Sequence, residues 1–60
     1  MNTNIEIIRK KLKDTYGWED NEITHYKDNI YIIKVEVLIG YFKDLYAVVS
    51  NNECKLKLSI

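Results

Sequence analysis

The sequence has no proline and only one cysteine and one histidine in 60 residues, and each scarcity excludes a class of structure. One cysteine cannot form a disulfide within the chain, and one cysteine with one histidine cannot complete a four-ligand zinc site. No metal or other cofactor is therefore expected. Without a disulfide or a bound metal, the core of a chain of this length rarely supplies more than about 3–5 kcal/mol of folding stability. Oligomerisation is the remaining source of buried surface, so the sequence favours a homodimer.

An excess of charge of one sign is also missing, because nine basic and nine acidic residues cancel. A neutral chain lacks a general attraction for nucleic acids or for an anionic membrane surface. The N-terminus has no signal-peptide core, and no apolar run approaches the roughly 18 residues of a membrane helix. A single unpaired cysteine suits a reducing compartment. We therefore expect a cytoplasmic protein with no membrane partner.

The residues that are abundant point to a globular chain and hint at its source. Apolar residues make up 47% and charged residues 30%, which is typical of a folded domain. Ile, Lys, Asn and Tyr together account for 28 of the 60 residues, and all four have AT-rich codons. This bias favours a low-GC bacterium or one of its phages.

The N-terminal segment predicts an amphipathic helix over about residues 4–15. Thr3 and Glu6 have the spacing of a capping box, and Gly17 is suited to terminate the helix. Apolar residues recur between them at the three- and four-residue spacing of one helix face: Ile5, Ile8, Leu12 and Tyr16.

Short apolar runs separated by turn residues follow the helix, and they predict strands near residues 22–27, 30–39, 44–50 and 53–60. Trp18 is expected to fold back over one end of the core. Together these elements predict a single α+β domain over residues 1–60, with one helix packed on a four-stranded antiparallel meander (α-β-β-β-β).

Turn chemistry predicts the strand registers. Asn51 and Asn52 suit a two-residue turn, which pairs Val49 with Cys54, Ala47 with Leu56, and Leu45 with Leu58. The preceding link needs an odd-length loop or a bulge; a loop at residues 40–42 pairs Val37 with Leu45 and Val35 with Ala47. A turn at Asp28 and Asn29 pairs Tyr26 with Tyr31 and Thr24 with Ile33.

These registers divide the sheet into two faces. The predicted core face, covered by Ile5, Ile8, Leu12 and Trp18, carries Tyr26, Tyr31, Ile33, Val35, Val37, Ile39, Leu45, Ala47, Val49, Cys54, Leu56 and Leu58. The predicted outer face carries Ile23, His25, Ile30, Ile32, Lys34, Glu36, Leu38, Tyr46, Val48, Lys55 and Lys57.

The central strand, residues 30–39, is apolar on both faces apart from Lys34 and Glu36, a pattern that requires cover on both sides. One helix covers one face, so the other is expected to bind a partner, most simply a second copy. Edge-strand pairing is a second route to the dimer. The predicted interface consists of outer-face residues together with two aromatics near the hairpin tip: Ile30, Ile32, Leu38, Tyr41, Phe42, Tyr46 and Val48.

Two other kinds of site have some support in the sequence. His25 and Cys54 could form a base and nucleophile, but the registers place them on opposite faces, so no catalysis is expected. Basic residues on the helix and the last strand give an alternative function, a small nucleic-acid-binding protein. Its contacts would be Arg9, Lys10, Lys13, Lys55 and Lys57.

The favoured function is a non-enzymatic protein–protein interaction module. A small neutral chain with no catalytic motif resembles, in format only, phage-encoded inhibitors that bind a host defence or replication protein. Under this hypothesis the protein would act in the cytoplasm of the host cell. The sequence does not identify the target.

Overall fold

The computed structural model describes residues 3–59, and in this range the chain forms one helix followed by four strands. The elements are α1 (Thr3–Tyr16), β1 (Glu22–Lys27), β2 (Ile30–Leu38), β3 (Tyr41–Ser50) and β4 (Glu53–Lys57). The strands form one antiparallel sheet in the order β1-β2-β3-β4. The predicted α+β meander is confirmed. The predicted end of the last strand, residue 60, lies outside the described residues.

Helix α1 extends the predicted range by one residue at each end and terminates at Gly17 as expected. Gly17 has a φ of 77°, a conformation that glycine adopts without the steric cost a side chain would bring. Its N–H donates to the carbonyl of Lys13 over 2.9 Å, which satisfies one carbonyl of the last turn. The chain then turns back, and Trp18 packs against the core.

The core lies between α1 and one face of the sheet. Ile8 and Leu12 of the helix are almost fully buried, and Asn4 donates a hydrogen bond to the hydroxyl of Tyr31 over 3.2 Å. The buried apolar residues of the described chain are Ile8, Leu12, Tyr31, Ile33, Val35, Leu45, Ala47, Val49 and Cys54. Ile5, Ile7, Trp18, Ile23 and Leu56 pack around them and are partly buried.

The β3–β4 hairpin has the predicted turn. Asn51 and Asn52 both have positive φ (53° and 63°), and the hairpin pairs Val49 with Cys54. The predicted pairing of Leu45 with Leu58 is wrong, because β4 ends at Lys57. Leu58 is 83% exposed instead of lying in the core.

The β2–β3 hairpin has a different register from the predicted one. Its turn is formed by Ile39 and Gly40, with Gly40 at a φ of 80°, and not by a loop at residues 40–42. Val37 is an extra residue in β2, a bulge that restores the alignment of the core positions. The predicted need for an odd loop or a bulge is therefore met by the bulge.

The new register pairs Tyr31 with Ala47, Ile33 with Leu45 and Val35 with Lys43. The predicted partners of Val35 and Val37 are therefore wrong: Val35 pairs with Lys43 instead of Ala47, four residues away, and Val37 is the unpaired bulge residue. As a second consequence, Val37 and Ile39 are exposed and not part of the core.

The β1–β2 hairpin contains a second bulge, at Tyr26, that reverses the predicted faces of β1. Ile23 pairs with Ile33 and His25 pairs with Tyr31, so both lie on the helix side and not on the outer face. Tyr26 lies on the outer side, where its ring packs edge-on against that of Tyr46 with 6.4 Å between the ring centroids. The predictions that paired Thr24 with Ile33 and placed Tyr26 in the core are wrong, because one extra residue changes the alternation of side chains.

Candidate interaction surface

The β2–β3 hairpin extends beyond the strands that flank it. Pairing of β1 with β2 ends at Lys34, and pairing of β4 with β3 ends at Tyr46. Residues 35–45 therefore form a two-stranded projection without a neighbouring strand on either side, which we call the arm. The molecule is correspondingly elongated, with extents of 34, 22 and 19 Å.

Helix α1 is too short to cover the helix-side face of this hairpin. Fourteen residues of helix span about 21 Å, whereas the ten residues of β3 span about 34 Å. The helix lies over β3 and β4, with Ile8 and Leu12 in the core. Val35 and Leu45 at the base of the arm are buried in the core, and beyond them the described part of the helix does not cover the apolar side chains of the arm.

Exposed apolar side chains are concentrated at this end of the molecule. Ile39 is 97% exposed at the turn, and Leu38 and Tyr41, which face each other across it, are 68% and 69% exposed. Of the large exposed hydrophobic residues in the described chain, all but Tyr26 lie on the arm or beside it: Tyr16, Val37, Leu38, Ile39, Tyr41, Phe42 and Leu58. A concentration of exposed apolar residues at one end of a molecule is typical of a binding surface, unlike single exposed apolar residues.

The bulge at Val37 also decides which side of the arm these residues lie on. Residues of β3 alternate, and Tyr41 lies on the same side as the core residues Leu45 and Ala47. Leu38 pairs with Tyr41 and shares that side. Leu38 is thus on the helix side of the sheet, contrary to its predicted place on the outer face.

An apolar cleft of about 140 Å³ opens between the arm and the end of α1. The rings of Tyr16 and Trp18 stack at 4.3 Å and form one wall. Side chains of the arm and of Leu58 form the rest, and Lys43 and Asp44 also border the cleft, although Asp44 belongs to the outer face of the sheet. We call this the arm cleft; its apolar lining is Tyr16, Trp18, Val35, Val37, Leu45 and Leu58.

The tip of the arm is held in shape by its own contacts. The N–H of Gly40 donates to the carboxylate of Glu36 over 3.3 Å, across the turn. On the outer side, the ammonium of Lys34 lies 5.1 Å above the ring of Phe42. Such contacts reduce the conformational entropy that a binding partner would have to remove.

The predicted interface residues divide into two groups. Leu38, Tyr41 and Phe42 are exposed on the arm, whereas the other four are half-buried on the outer face of the central strands. These four are Ile30, Ile32, Tyr46 and Val48. The structure thus brings three of the seven to the arm and leaves four on the sheet.

Sequence reasoning missed Ile39, Val37 and Leu58, which it assigned to the core. The exposure of Ile39 could have been predicted from the sequence. Ile39 and Gly40 can form a two-residue turn, and the first position of such a turn is usually polar and exposed. No comparable signal existed for Val37, whose exposure follows from the bulge.

The basic residues of the alternative function do not form one patch. Lys55 and Lys57 lie on the outer face of β4, whereas Arg9, Lys10 and Lys13 are on α1, on the opposite side of the sheet. Lys10 pairs with Asp14 over 2.9 Å and Lys13 pairs with Glu19 over 2.9 Å. Hydrogen bonds and the charges of these carboxylates raise the pKa of both lysines.

His25 and Cys54 lie on β1 and β4, the two edges of the sheet, three strand spacings or about 14 Å apart. They therefore do not meet, as predicted, although His25 lies on the helix side. His25 Nε2 is 2.8 Å from the carbonyl oxygen of Asp28, a hydrogen bond within its own hairpin. Burial raises the pKa of the Cys54 thiol. Within residues 3–59, no group of three or more metal-ligating side chains is close enough to hold an ion.

The fold and this surface define a class: a small helix-on-meander protein with a projecting apolar hairpin. Comparison with models of protein families, with curated proteins and with solved structures finds no match. Across the described residues, no helix has the length and apolar character needed to cross a membrane.

Proposed function

We propose that this protein is a non-enzymatic protein–protein interaction module that binds its partner through the arm. The observation that carries the proposal is the uncovered apolar hairpin, in which Leu38, Ile39, Tyr41 and Phe42 are exposed on a scaffold that does not need them for its core. Tyrosine is among the residue types that supply most of the energy at protein interfaces, and the neighbouring apolar side chains help to exclude water. The proposed partners are a second copy of the chain and a separate protein target.

Among such modules, a phage or bacterial inhibitor or modulator of a cytoplasmic host protein is the form we favour. The AT-rich residue usage and the small, neutral fold support this choice. Phe42 lies on the outer side of the arm, next to Lys34, which gives the target a surface distinct from the helix side.

The distribution of charge is the reason for preferring a protein partner to a nucleic acid. On the outer face Lys34 is opposite Asp44, and Lys55 and Glu53 are neighbours along β4. On the helix, two of the cations already pair with carboxylates. A nucleic-acid site needs a continuous basic surface to neutralise successive phosphates.

Affinity purification with matched variants tests this function. The tagged chain, its Phe42→Asp variant and its Tyr26→Asp variant are each used to capture proteins from a low-GC bacterial host lysate. Both aromatic rings are 52% exposed, but only Phe42 is on the arm. We expect the same protein to bind the unmodified chain and Tyr26→Asp, and to be lost with Phe42→Asp.

Two results would count against the proposal. The first is capture that does not distinguish the two variants, which would remove the arm from recognition. The second is retention of nucleic acid that decreases steeply with salt, which would favour the alternative function. Circular dichroism of each variant establishes that the fold is retained.

A further inference from the structure

We infer that the helix side of the arm is a homodimer interface, in which Ile39 of each copy enters the arm cleft of the other. This inference rests on the proposed function, because it names a second copy as the occupant of one side of the arm. The outer side, with Phe42, stays available to a different partner.

The size of the cleft suits one apolar side chain. Its volume is about 140 Å³, and an apolar protein cavity of about 150 Å³ accommodates a molecule of the size of benzene. Stacked Tyr16 and Trp18 provide a flat apolar wall, and Val37 and Leu45 line the opposite side. A branched aliphatic side chain would exclude water from this space at little entropic cost.

The chain itself presents such a side chain at the same end of the molecule. Ile39 projects from the tip at 97% exposure, two residues beyond the cleft-lining Val37. Because the projecting residue and the cleft belong to one contiguous surface, a two-fold axis lets both copies make the same contact. Self-complementarity of one patch is the defining property of a two-fold symmetric interface.

The exposed area agrees with a small dimer interface. The molecule exposes 4657 Å², whereas a folded monomer of 7.2 kDa exposes about 4,100 Å². An interface that used about 500 Å² of each copy would bury about 1,000 Å² in total, near the lower limit for a specific protein interface. Interfaces near this limit are typical of weak, transient association.

Charge permits this contact between identical surfaces. Around the arm, Lys34 and Lys43 are balanced by Glu36 and Asp44. Two identical neutral ends do not repel each other, whereas two ends of like charge would.

The test combines sedimentation equilibrium with the fluorescence of Trp18, which is the single tryptophan of the chain and a wall of the cleft. The unmodified protein is measured from about 1 to 500 µM, a range that brackets micromolar dissociation constants. We expect a monomer–dimer equilibrium, with a blue shift of the Trp18 emission that follows the dimer fraction.

Three variants locate the interface. Ile39→Asp should raise the dissociation constant by more than about tenfold and abolish the blue shift, since a charge cannot enter the cleft. Tyr26→Asp, an exposed residue away from the arm, should change neither quantity. Ile32→Asp tests the outer face of the sheet, which the sequence pattern favours for the dimer. In a variant that circular dichroism shows to be folded, neither the dissociation constant nor the blue shift should change.

The outcomes separate this inference from the proposed function. A monomer throughout the concentration range overturns the inference, as does a dimer that Ile32→Asp dissociates and Ile39→Asp does not. In either case, capture of a protein that depends on Phe42 would leave the proposed function intact. Loss of that capture while the dimer remains would reject the target-binding function and retain the dimer.

Discussion

Asn29 and Val49 are joined by two hydrogen bonds that connect the first turn of the meander to its third strand. The N–H of Val49 donates to the carbonyl of Asn29 over 2.9 Å, and the side-chain amide of Asn29 donates to the carbonyl of Val49 over 2.8 Å. The side chain thus continues the β2–β3 ladder one position beyond Ile30 and Val48.

Removal of the Asn29 amide should therefore destabilise the sheet. We expect Asn29→Ala to lower the free energy of unfolding by about 1 kcal/mol, because a partly buried carbonyl loses its donor. Asn21→Ala is a matched control, since the Asn21 amide makes an exposed contact of 3.5 Å with the carbonyl of Lys34. Urea denaturation should show a clear decrease in the free energy of unfolding for Asn29→Ala only. An equal decrease for Asn21→Ala would exclude a special role for Asn29.

Truncation of Ile8 should come close to unfolding the monomer. Ile8 is fully buried, and replacing a buried isoleucine by alanine costs about 2–5 kcal/mol. This is comparable to the whole stability expected of a chain of this length. Ile8→Val should cost only about 0.5–1.5 kcal/mol, and denaturant midpoints measured at one protein concentration test the graded loss. An alanine variant as stable as the valine variant would contradict the helix position.

Replacement of Gly17 should affect both stability and the arm cleft. A side chain at a φ of 77° costs about 1–2 kcal/mol, so Gly17→Ala should lower the melting temperature. Gly17→Asn should cost less, because asparagine tolerates this conformation. Since Trp18 follows directly, the alanine variant should also shift the Trp18 emission to the red. An unchanged melting temperature in both variants would mean that the helix end has relaxed to another conformation.

The two ion pairs at the end of α1 predict a dependence of stability on pH. The hydrogen bond and the charge of Lys10 lower the pKa of Asp14, and those of Lys13 lower the pKa of Glu19. Their stabilising contribution is present above the unfolded carboxyl pKa values of about 4 and is lost as the pH falls through the folded values. The raised pKa values of the lysines give a contribution that is lost as the pH rises through those folded values.

We therefore expect the double variant Asp14→Asn, Glu19→Gln to lose less stability than the unmodified chain when the pH falls below about 4. The effect should be small and weakened by salt, because all four groups are exposed. Melting temperatures from pH 2 to pH 7, at low and high salt, provide the measurement. Parallel pH profiles for the two proteins would show that the pairs do not contribute.

The Cys54 thiol should react slowly in the folded protein. The thiol is buried, so a reagent reaches it rarely. Burial also raises its pKa, so little of it is in the reactive thiolate form. A thiol reagent at neutral pH should label the native chain many times more slowly than the urea-unfolded chain. Equal labelling rates would show that β4 opens readily from the sheet.

The features that were predictable from the sequence are those set by local chemistry. The helix follows from its apolar spacing and Gly17, and the β3–β4 register follows from Asn51 and Asn52, because a two-residue turn leaves one alignment. The bulge at Tyr26 has no signature in the sequence, and for the bulge at Val37 the sequence indicates the need for an extra residue but not its position. Each bulge places the residues that lie past it in the strand on the opposite face of the sheet from the one that regular alternation predicts.

The same limits apply to the candidate site. Tyr41 and Phe42 were identified because aromatic side chains at a hairpin tip are difficult to bury, whereas Leu38 was identified for a different reason, its predicted place on the outer face, which is wrong. The arm cleft was not, since its walls depend on how far α1 extends along β3. That distance is fixed by packing between elements remote in sequence, and no local pattern encodes it.

The meander order of the strands has a consequence for how this chain folds. Each strand pairs with the one directly before it, so most native contacts close short loops, for which the entropic cost is small. Docking of α1 on β3 and β4 is the main step between distant segments. Low contact order of this kind is associated with folding within about milliseconds. The apolar arm would then complete its own hairpin quickly, which shortens the time in which its unpaired strands could aggregate.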